Sequence, residues 1–230
     1  MIRYIQLPFF FDVRRMQDEV SLAVQTWTKH FNTADYEGSW TGISLRSPGG
    51  VAENIFTSSM HQDQPFSDTP LMDRCPYLRE VLATLQCGQG SARLLKLDAG
   101  AVIKEHRDRE LNFEKGEARL HIPVFTNEQV RFMLDGHLLE MKEGSCWYMN
   151  ANLPHSVANN SKADRIHLVV DCVVNDWLRD QFEREDLPVK NIKDTSAEDR
   201  RLKMELIAAL MRSGDPVRVK MGEEMEAGVR

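Results

Sequence analysis

The hydrophobic positions of this chain change their period twice. Residues 3–10 form a short apolar run of strand type. Behind it, Val13, Met16, Val20, Val24 and Trp27 recur at spacings of three and four, which predicts a helix with Asp12 in the capping position. Residues 39–57 read as one or two strands broken at Pro48-Gly49-Gly50, and residues 61–74 as a polar loop with two prolines. Pro76 suits the first position of a helix, whose apolar stripe is Tyr77, Leu78, Val81, Leu82 and Leu85.

From residue 91 to 175 the period falls to two. Short apolar or alternating runs recur (ARLLKL, AVIKEHRD, ARLHIPVF, VRFML, HLLEM, SCWYMN, HSVAN, RIHLVVDCVV), each closed by Gly, Asn or Asp turn residues. Asp135-Gly136 between two such runs is a two-residue hairpin signal. About eight strands at this spacing predict a mainly β fold with flanking helices, a double-stranded β-helix of the jelly-roll, cupin-like kind. After Trp177 the pattern returns to helix, with Leu202, Leu206, Ile207 and Leu210 as a stripe. Residues 213–230 carry few large apolar groups and read as a loose tail. The expected organisation is a jelly-roll domain over residues 1–190, its N-terminal helices packed on the sheet, followed by a C-terminal helix and tail over 191–230.

Composition narrows the function. The 230 residues are 42% hydrophobic and 28% charged, as in an ordinary globular protein. A formal charge of −6, from 29 basic and 35 acidic residues, argues against a nucleic-acid partner. The cysteines, Cys75, Cys87, Cys146 and Cys172, show no CxxC spacing and read as buried free thiols of a reducing compartment. No apolar run approaches the ~20 residues of a membrane span. The start MIRYIQLPFFFDVRRM is too short and polar for a signal peptide. A cytoplasmic protein is expected, with no membrane partner and a weak homodimer as its assembly.

Candidate chemistry centres on His106-Arg107-Asp108 at the end of a strand-like run. Alternate strand residues share a face, so His106 and Asp108 project together while Arg107 points away. His155 follows Asp108 by 47 positions, in Asn152-Leu153-Pro154-His155. Two histidines and a carboxylate on one side of a metal leave the other positions open, as in non-haem Fe(II) oxygenases, although the same donors suit zinc. Arg165, ten positions past His155, offers a planar two-pronged match to a carboxylate such as the far one of 2-oxoglutarate. Trp147 reads as core, Arg46 as a surface cation, and His30, His61 and His137 as exposed. His167 shares the face of Arg165.

These residues carry a resemblance. LLKLDAGAVIKEHRD, GEARLHIPVF, GSCWYMNANLPHSVANNS and RIHLVVD together resemble the aspartyl/asparaginyl β-hydroxylase family of jelly-roll Fe(II)/2-oxoglutarate oxygenases. The HRD at 106–108 is nearest to its bacterial L-proline cis-4-hydroxylase branch; the animal enzymes have glycine where Asp108 stands. The resemblance implies that His106, Asp108 and His155 are the catalytic metal ligands and that Arg165 binds 2-oxoglutarate. It also implies that Arg119 and His121 help to position that co-substrate. A serine that contacts the co-substrate in the animal enzymes falls near Leu95. The implied activity is hydroxylation, with O2, of an amino acid or of a residue in a peptide or protein. Two other readings stand beside it: a cupin-like metal enzyme that does not use 2-oxoglutarate, and a non-catalytic jelly-roll binding module.

Overall fold

The computed structural model describes residues 1–23, 26–57, 64–108, 111–193 and 196–227. Fourteen strands are present among them. They are β1 (Ile2–Phe10), β2 (Thr28–Lys29), β3 (Tyr36–Glu37), β4 (Trp40–Pro48), β5 (Phe66–Asp68), β6 (Gly88–Leu97), β7 (Val102–His106), β8 (Glu117–Phe125), β9 (Val130–Leu134), β10 (His137–Leu139), β11 (Ser145–Met149), β12 (His155–Asn159), β13 (Arg165–Val173) and β14 (Val189–Ile192). The helices are α1 (Val13–Ala23), α2 (Pro76–Thr84), α3 (Asp176–Glu183), α4 (Ser196–Met211) and α5 (Pro216–Ala227). Two compact units divide the chain, one of Ile2–Asn191 and one of Ile192–Arg230 with Met1.

The first unit is a jelly roll. One sheet runs β14-β1-β11-β8-β13-β6-β4-β2, with β5 on β4; the other runs β10-β9-β12-β7-β3. Strands β6 to β13 alternate between the two sheets except at β9 and β10, a hairpin within the smaller one, and neighbours pair antiparallel. The expected eight-strand region is therefore eight strands. Asp135 (φ 47°) and Gly136 (φ 78°) form the β9–β10 turn, both in the left-handed region a tight hairpin demands.

Both faces of the large sheet are covered, which explains why β13 is buried almost end to end. Ile166, Leu168, Val170 and Cys172 point outward, into a core shared with Met16 and Val20 of α1 and Leu78, Val81 and Leu82 of α2. The alternate set, Arg165, His167, Val169 and Asp171, points into the barrel. Strand β8 divides the same way: Leu120 and Ile122 join the core, while Arg119 and His121 face inward. An apolar outer face thus fixes the register that holds a polar inner one.

Several expectations need correction. Residues 51–57 are not a strand. After Gly49 (φ 71°) and Gly50 (φ 69°) the chain loops back, and β4 receives it through Ser44 N to Ala52 O (2.8 Å) and Ser44 Oγ to Asn54 O (2.7 Å). The polar stretch 64–74 contains β5 and a short turn of 3-10 helix rather than loop alone. The tail expectation fails at 216–227, which is helix α5. Pro216 opens it, and Asp215 Oδ1 accepts from the backbone N–H of Val217 (2.8 Å) and Arg218 (3.2 Å). Gly222 lets α5 approach Leu210 and Met211 of α4. Val24 and His61 lie outside the described residues. The four cysteines are free thiols. Among the described residues no helix is long and apolar enough to cross a membrane.

Candidate active site

Two strands of the smaller sheet bring the metal-type donors together. β7 ends at His106 and β12 begins at His155, and the two residues are direct cross-strand partners. Their rings lie 4.2 Å apart. Asp108 follows β7, its backbone N–H held by Ala151 O at 2.9 Å. One donor atom from each of the three lies within 4.8 Å of the others. His106 Nδ1 is 2.8 Å from Lys104 O, and His155 Nδ1 is 2.9 Å from Leu153 O. A carbonyl only accepts, so both Nδ1 atoms carry the proton and both Nε2 lone pairs stay free to ligate. Arg107 points away, exposed, to Asn152 O.

A cavity of about 300 Å³ runs from this triad into the barrel. His106, Asp108, His155, Arg119, His121 and Arg165 all line it, so every site residue expected from the sequence reaches one space. Leu95, Ile103, Phe132 and Val169 supply apolar wall.

The charges within it are unevenly matched. Arg119 gives Nε and Nη2 to Asp171 (2.7 and 3.1 Å) and Nη1 to Asp108. Its fork is thus engaged by two carboxylates. Arg93 also reaches Asp171, at 3.4 Å, and donates to Ile55 O. Burial disfavours ionisation of Asp171, but Arg119 and Arg93 outweigh it and hold the carboxyl at about 2. The same contest, won chiefly by Arg119, keeps Asp108 below the ordinary carboxylate range. Among the described residues Arg165 has no such partner. It is 2% exposed, its Nε is unbonded, and the one hydrogen bond it makes to them goes to His167. Burial lowers it to about 9, so it stays charged at neutral pH. Among the described residues, three guanidiniums line this cavity and meet Asp108 in its wall and Asp171 behind it, and the one left over is Arg165.

Sequence reasoning missed three members of this site. Asp171 closes RIHLVVD and shares the inward face of Arg165, which is the signal that could have found it. Arg93 shares the inward face of Leu95 on β6. His30, expected exposed, is buried: its ring stacks on Trp40 at 3.5 Å and on Phe31 at 4.5 Å. That contact joins segments no local pattern links. Arg46 faces elsewhere, bound to Gln89 O, Phe66 O and Asp68, and is not a free surface cation. Trp147 is buried, as expected, and His137 is half-buried.

Two expectations about stability follow. Asp171→Asn leaves Arg93 and Arg119 buried with one shared carboxylate fewer, and urea unfolding should show a loss on the order of 3–5 kcal/mol. The second concerns pH. His30 and His155 are each lowered to about 4, chiefly by burial and next by Arg93 and His106 respectively. Unfolded histidine takes its proton near 6.5, so the unfolded chain gains protons first as pH falls. Stability is fully present above about pH 6.5 and drains away towards pH 4. Comparing urea midpoints of metal-free protein at pH 7 and pH 5 should show a loss of order 1–2 kcal/mol for each of these histidines. A flat profile would contradict their burial as neutral rings.

The family described as Aspartyl/Asparaginyl beta-hydroxylase matches residues 12–174, more than half of the chain. The chain belongs to the aspartyl/asparaginyl β-hydroxylase family. Within the family's span lie both sheets of the barrel except for β1 and β14, together with all six expected site residues. The chain is 30% identical over 165 residues to the L-proline cis-4-hydroxylase of Rhizobium meliloti (strain 1021), covering 70% of this chain and 57% of that protein. It is 28% identical over 138 residues to L-proline cis-3-hydroxylase 1 of Streptomyces sp, covering 58% and 47%. The chain thus spans about half the length of the curated relatives it matches. Among solved structures, a Pseudomonas putida prolyl-4-hydroxylase aligns with 14% identity and TM-score 0.46, over 76% of this chain and 94% of that one. A 2OG-Fe(II) oxygenase family oxidoreductase from Burkholderia pseudomallei aligns with 11% identity and TM-score 0.48, over 71% and 79%. The jelly-roll assignment rests on the strand order above rather than on these alignments.

Proposed function

We propose that this chain is an Fe(II)- and 2-oxoglutarate-dependent dioxygenase that hydroxylates an amino acid, free or within a peptide or protein. The observation that carries the reading is the pairing, in one cavity, of an open two-histidine, one-carboxylate set with a buried guanidinium that has no counter-ion. The residues present fit both groups. Two imidazoles with free Nε2 atoms and an ionised Asp108 are the donor set of a non-haem Fe(II) site. Arg165 is an orphaned buried cation, which a bound carboxylate would satisfy.

His106, Asp108 and His155 would hold the metal. Bound Fe(II) supplies the redox chemistry that couples decarboxylation of 2-oxoglutarate to hydroxylation by O2. Arg119 fixes the orientation of Asp108 and keeps its carboxylate ionised. Arg165 receives the far carboxylate of 2-oxoglutarate, and His121, whose two ring nitrogens are buried and unbonded, lies on the path between. Leu95, Ile103, Phe132 and Val169 exclude water from the reacting region. Arg93 Nε, also buried and unbonded beside the cavity, offers a donor to the carboxylate of an amino-acid substrate.

The relatives named above are L-proline hydroxylases, and a small imino or amino acid is the substrate class this reading carries over. The test is succinate production from 2-oxoglutarate by purified protein with Fe(II), alongside a mass-spectrometric screen of amino acids and short peptides for a gain of one oxygen. Calorimetry with Mn(II) in place of iron separates this reading from a cupin-like enzyme without the co-substrate and from a binding module. Absence of 2-oxoglutarate binding to the Mn(II)-loaded protein would sink it.

A further inference from the structure

Besides Arg165, strand β13 presents two buried polar side chains to the barrel, and each deals with an arginine differently. Asp171 gives a carboxylate to Arg119 and Arg93. Four residues earlier on the same face, His167 meets Arg165 with a ring nitrogen, Nδ1 to Nη2 at 2.7 Å. A guanidinium only donates, so His167 Nδ1 holds a lone pair and the ring's one proton sits on Nε2. Both side chains are buried, at 2% exposure each. Nothing else among the described residues bonds to this guanidinium; the Phe132 ring lies 5.8 Å from its carbon.

We infer that His167 is a positioning residue for the co-substrate's carboxylate, holding the Arg165 fork from one side while leaving its charge entire for an anion. The inference rests on the reading that 2-oxoglutarate binds at Arg165, and it adds why a histidine rather than an acid stands behind that arginine. An aspartate there would hold the same guanidinium more strongly. It would also neutralise it, and an incoming dianion would then meet a site already satisfied and a fixed negative charge. No acceptor at all would leave a long, many-rotamer side chain to be ordered at the moment of binding, which costs affinity. A neutral acceptor avoids both losses.

The surroundings keep the ring neutral. Burial, then Arg165, then His121 all oppose a second proton. His121 comes from β8, its ring 5.8 Å away and nearly perpendicular. The residues opposite His167 on the neighbouring strands are Leu95 of β6 and Pro123 of β8, neither of which can ionise. Asp171 lies one further alternate position along β13, beyond Val169, and is occupied by its own two arginines.

The test is a charge series at one position, read as 2-oxoglutarate affinity by calorimetry on Mn(II)-loaded full-length protein. His167→Asn keeps a neutral acceptor near the place of Nδ1 and should stay within about 3-fold of the unmodified protein. His167→Leu removes the acceptor and should weaken binding by about 10- to 100-fold, the usual worth of a hydrogen bond to a charged group. His167→Asp should be weaker still, although it forms the better ion pair with Arg165. Mn(II) affinity, measured without co-substrate, should stay constant across the series and shows that each variant is folded. A merely structural role predicts that 2-oxoglutarate affinity follows thermal stability, with the aspartate variant at least as good as leucine. That order, or an asparagine variant as weak as leucine, overturns the inference. If the unmodified protein itself fails to bind 2-oxoglutarate while taking up Mn(II), the functional reading beneath it falls first.

Discussion

Replacing His155 with alanine is expected to weaken binding of Fe(II), or of Mn(II) as a redox-silent substitute, by more than about 100-fold and to bring turnover to background. The expectation follows from how few donors converge here. His155 and His106 stand opposite each other across one ladder, each locked by a backbone carbonyl into the tautomer that presents Nε2. Losing one leaves a single imidazole and a single carboxylate, too few to hold a divalent ion against water. The fold should survive, because the side chain faces the cavity rather than the apolar core. Removal of a buried ring that resists protonation should also flatten the acid limb of the stability profile. Metal titration followed by electron paramagnetic resonance of Mn(II), together with a thermal melt, checks both statements. A variant that binds the ion as tightly as the unmodified protein would place the metal elsewhere.

Arg165→Met should have effects of opposite sign on affinity and on stability. Binding of 2-oxoglutarate to the Mn(II)-loaded protein should fall by at least about 100-fold, the loss expected when a two-pronged, charge-assisted contact inside a dry cavity is removed. Stability of the ligand-free protein should rise, by on the order of 1–3 kcal/mol, because a buried cation without a counter-ion is exchanged for an apolar side chain of similar length. The bond to His167 is lost as well and offsets part of the gain. Urea unfolding with and without 2-oxoglutarate separates the two effects. The unmodified protein gains stability from the co-substrate by mass action and the variant should not. A variant that is both weaker in binding and less stable would mean that Arg165 holds the fold together rather than waiting for a ligand.

The barrel was legible because each of its strands is short, alternating and closed by turn residues with a conformational reason to be there, as at Asp135-Gly136. The triad was legible in part. Alternation placed His106 and Asp108 on one face, the positions of His155 and Arg165 after later strands made them candidates, and the family resemblance added Arg119 and His121. What escaped depends on partners far along the chain. Asp171 matters because β13 pairs with β8 in the register that sets it opposite Arg119, and nothing within RIHLVVD states that pairing. His30 is buried because Trp40 covers it, and a polar neighbourhood in sequence reads as exposure. Helix α5 escaped for the opposite reason. Its segment has no apolar stripe, and capping at Asp215 together with close packing on α4 at Gly222 accompanies its helical form.

The placement of both histidines on facing rungs of one antiparallel ladder has a consequence for altering this protein. Between His106 and His155 lie four complete strands and their turns, yet the two rings are brought together directly by the β7–β12 pairing, with β9 holding the other edge of β12. Residues added to the turns at Asn127 or Gly144 would lengthen loops at small entropic cost and leave the ligand spacing as it is. A single residue inserted within β7 or β12 would turn one ring from the cavity to the opposite face and erase the site while sparing most of the barrel. Transplanting this chemistry onto another jelly roll is then a matter of copying two rungs and their offset, and whatever connects them can be chosen freely.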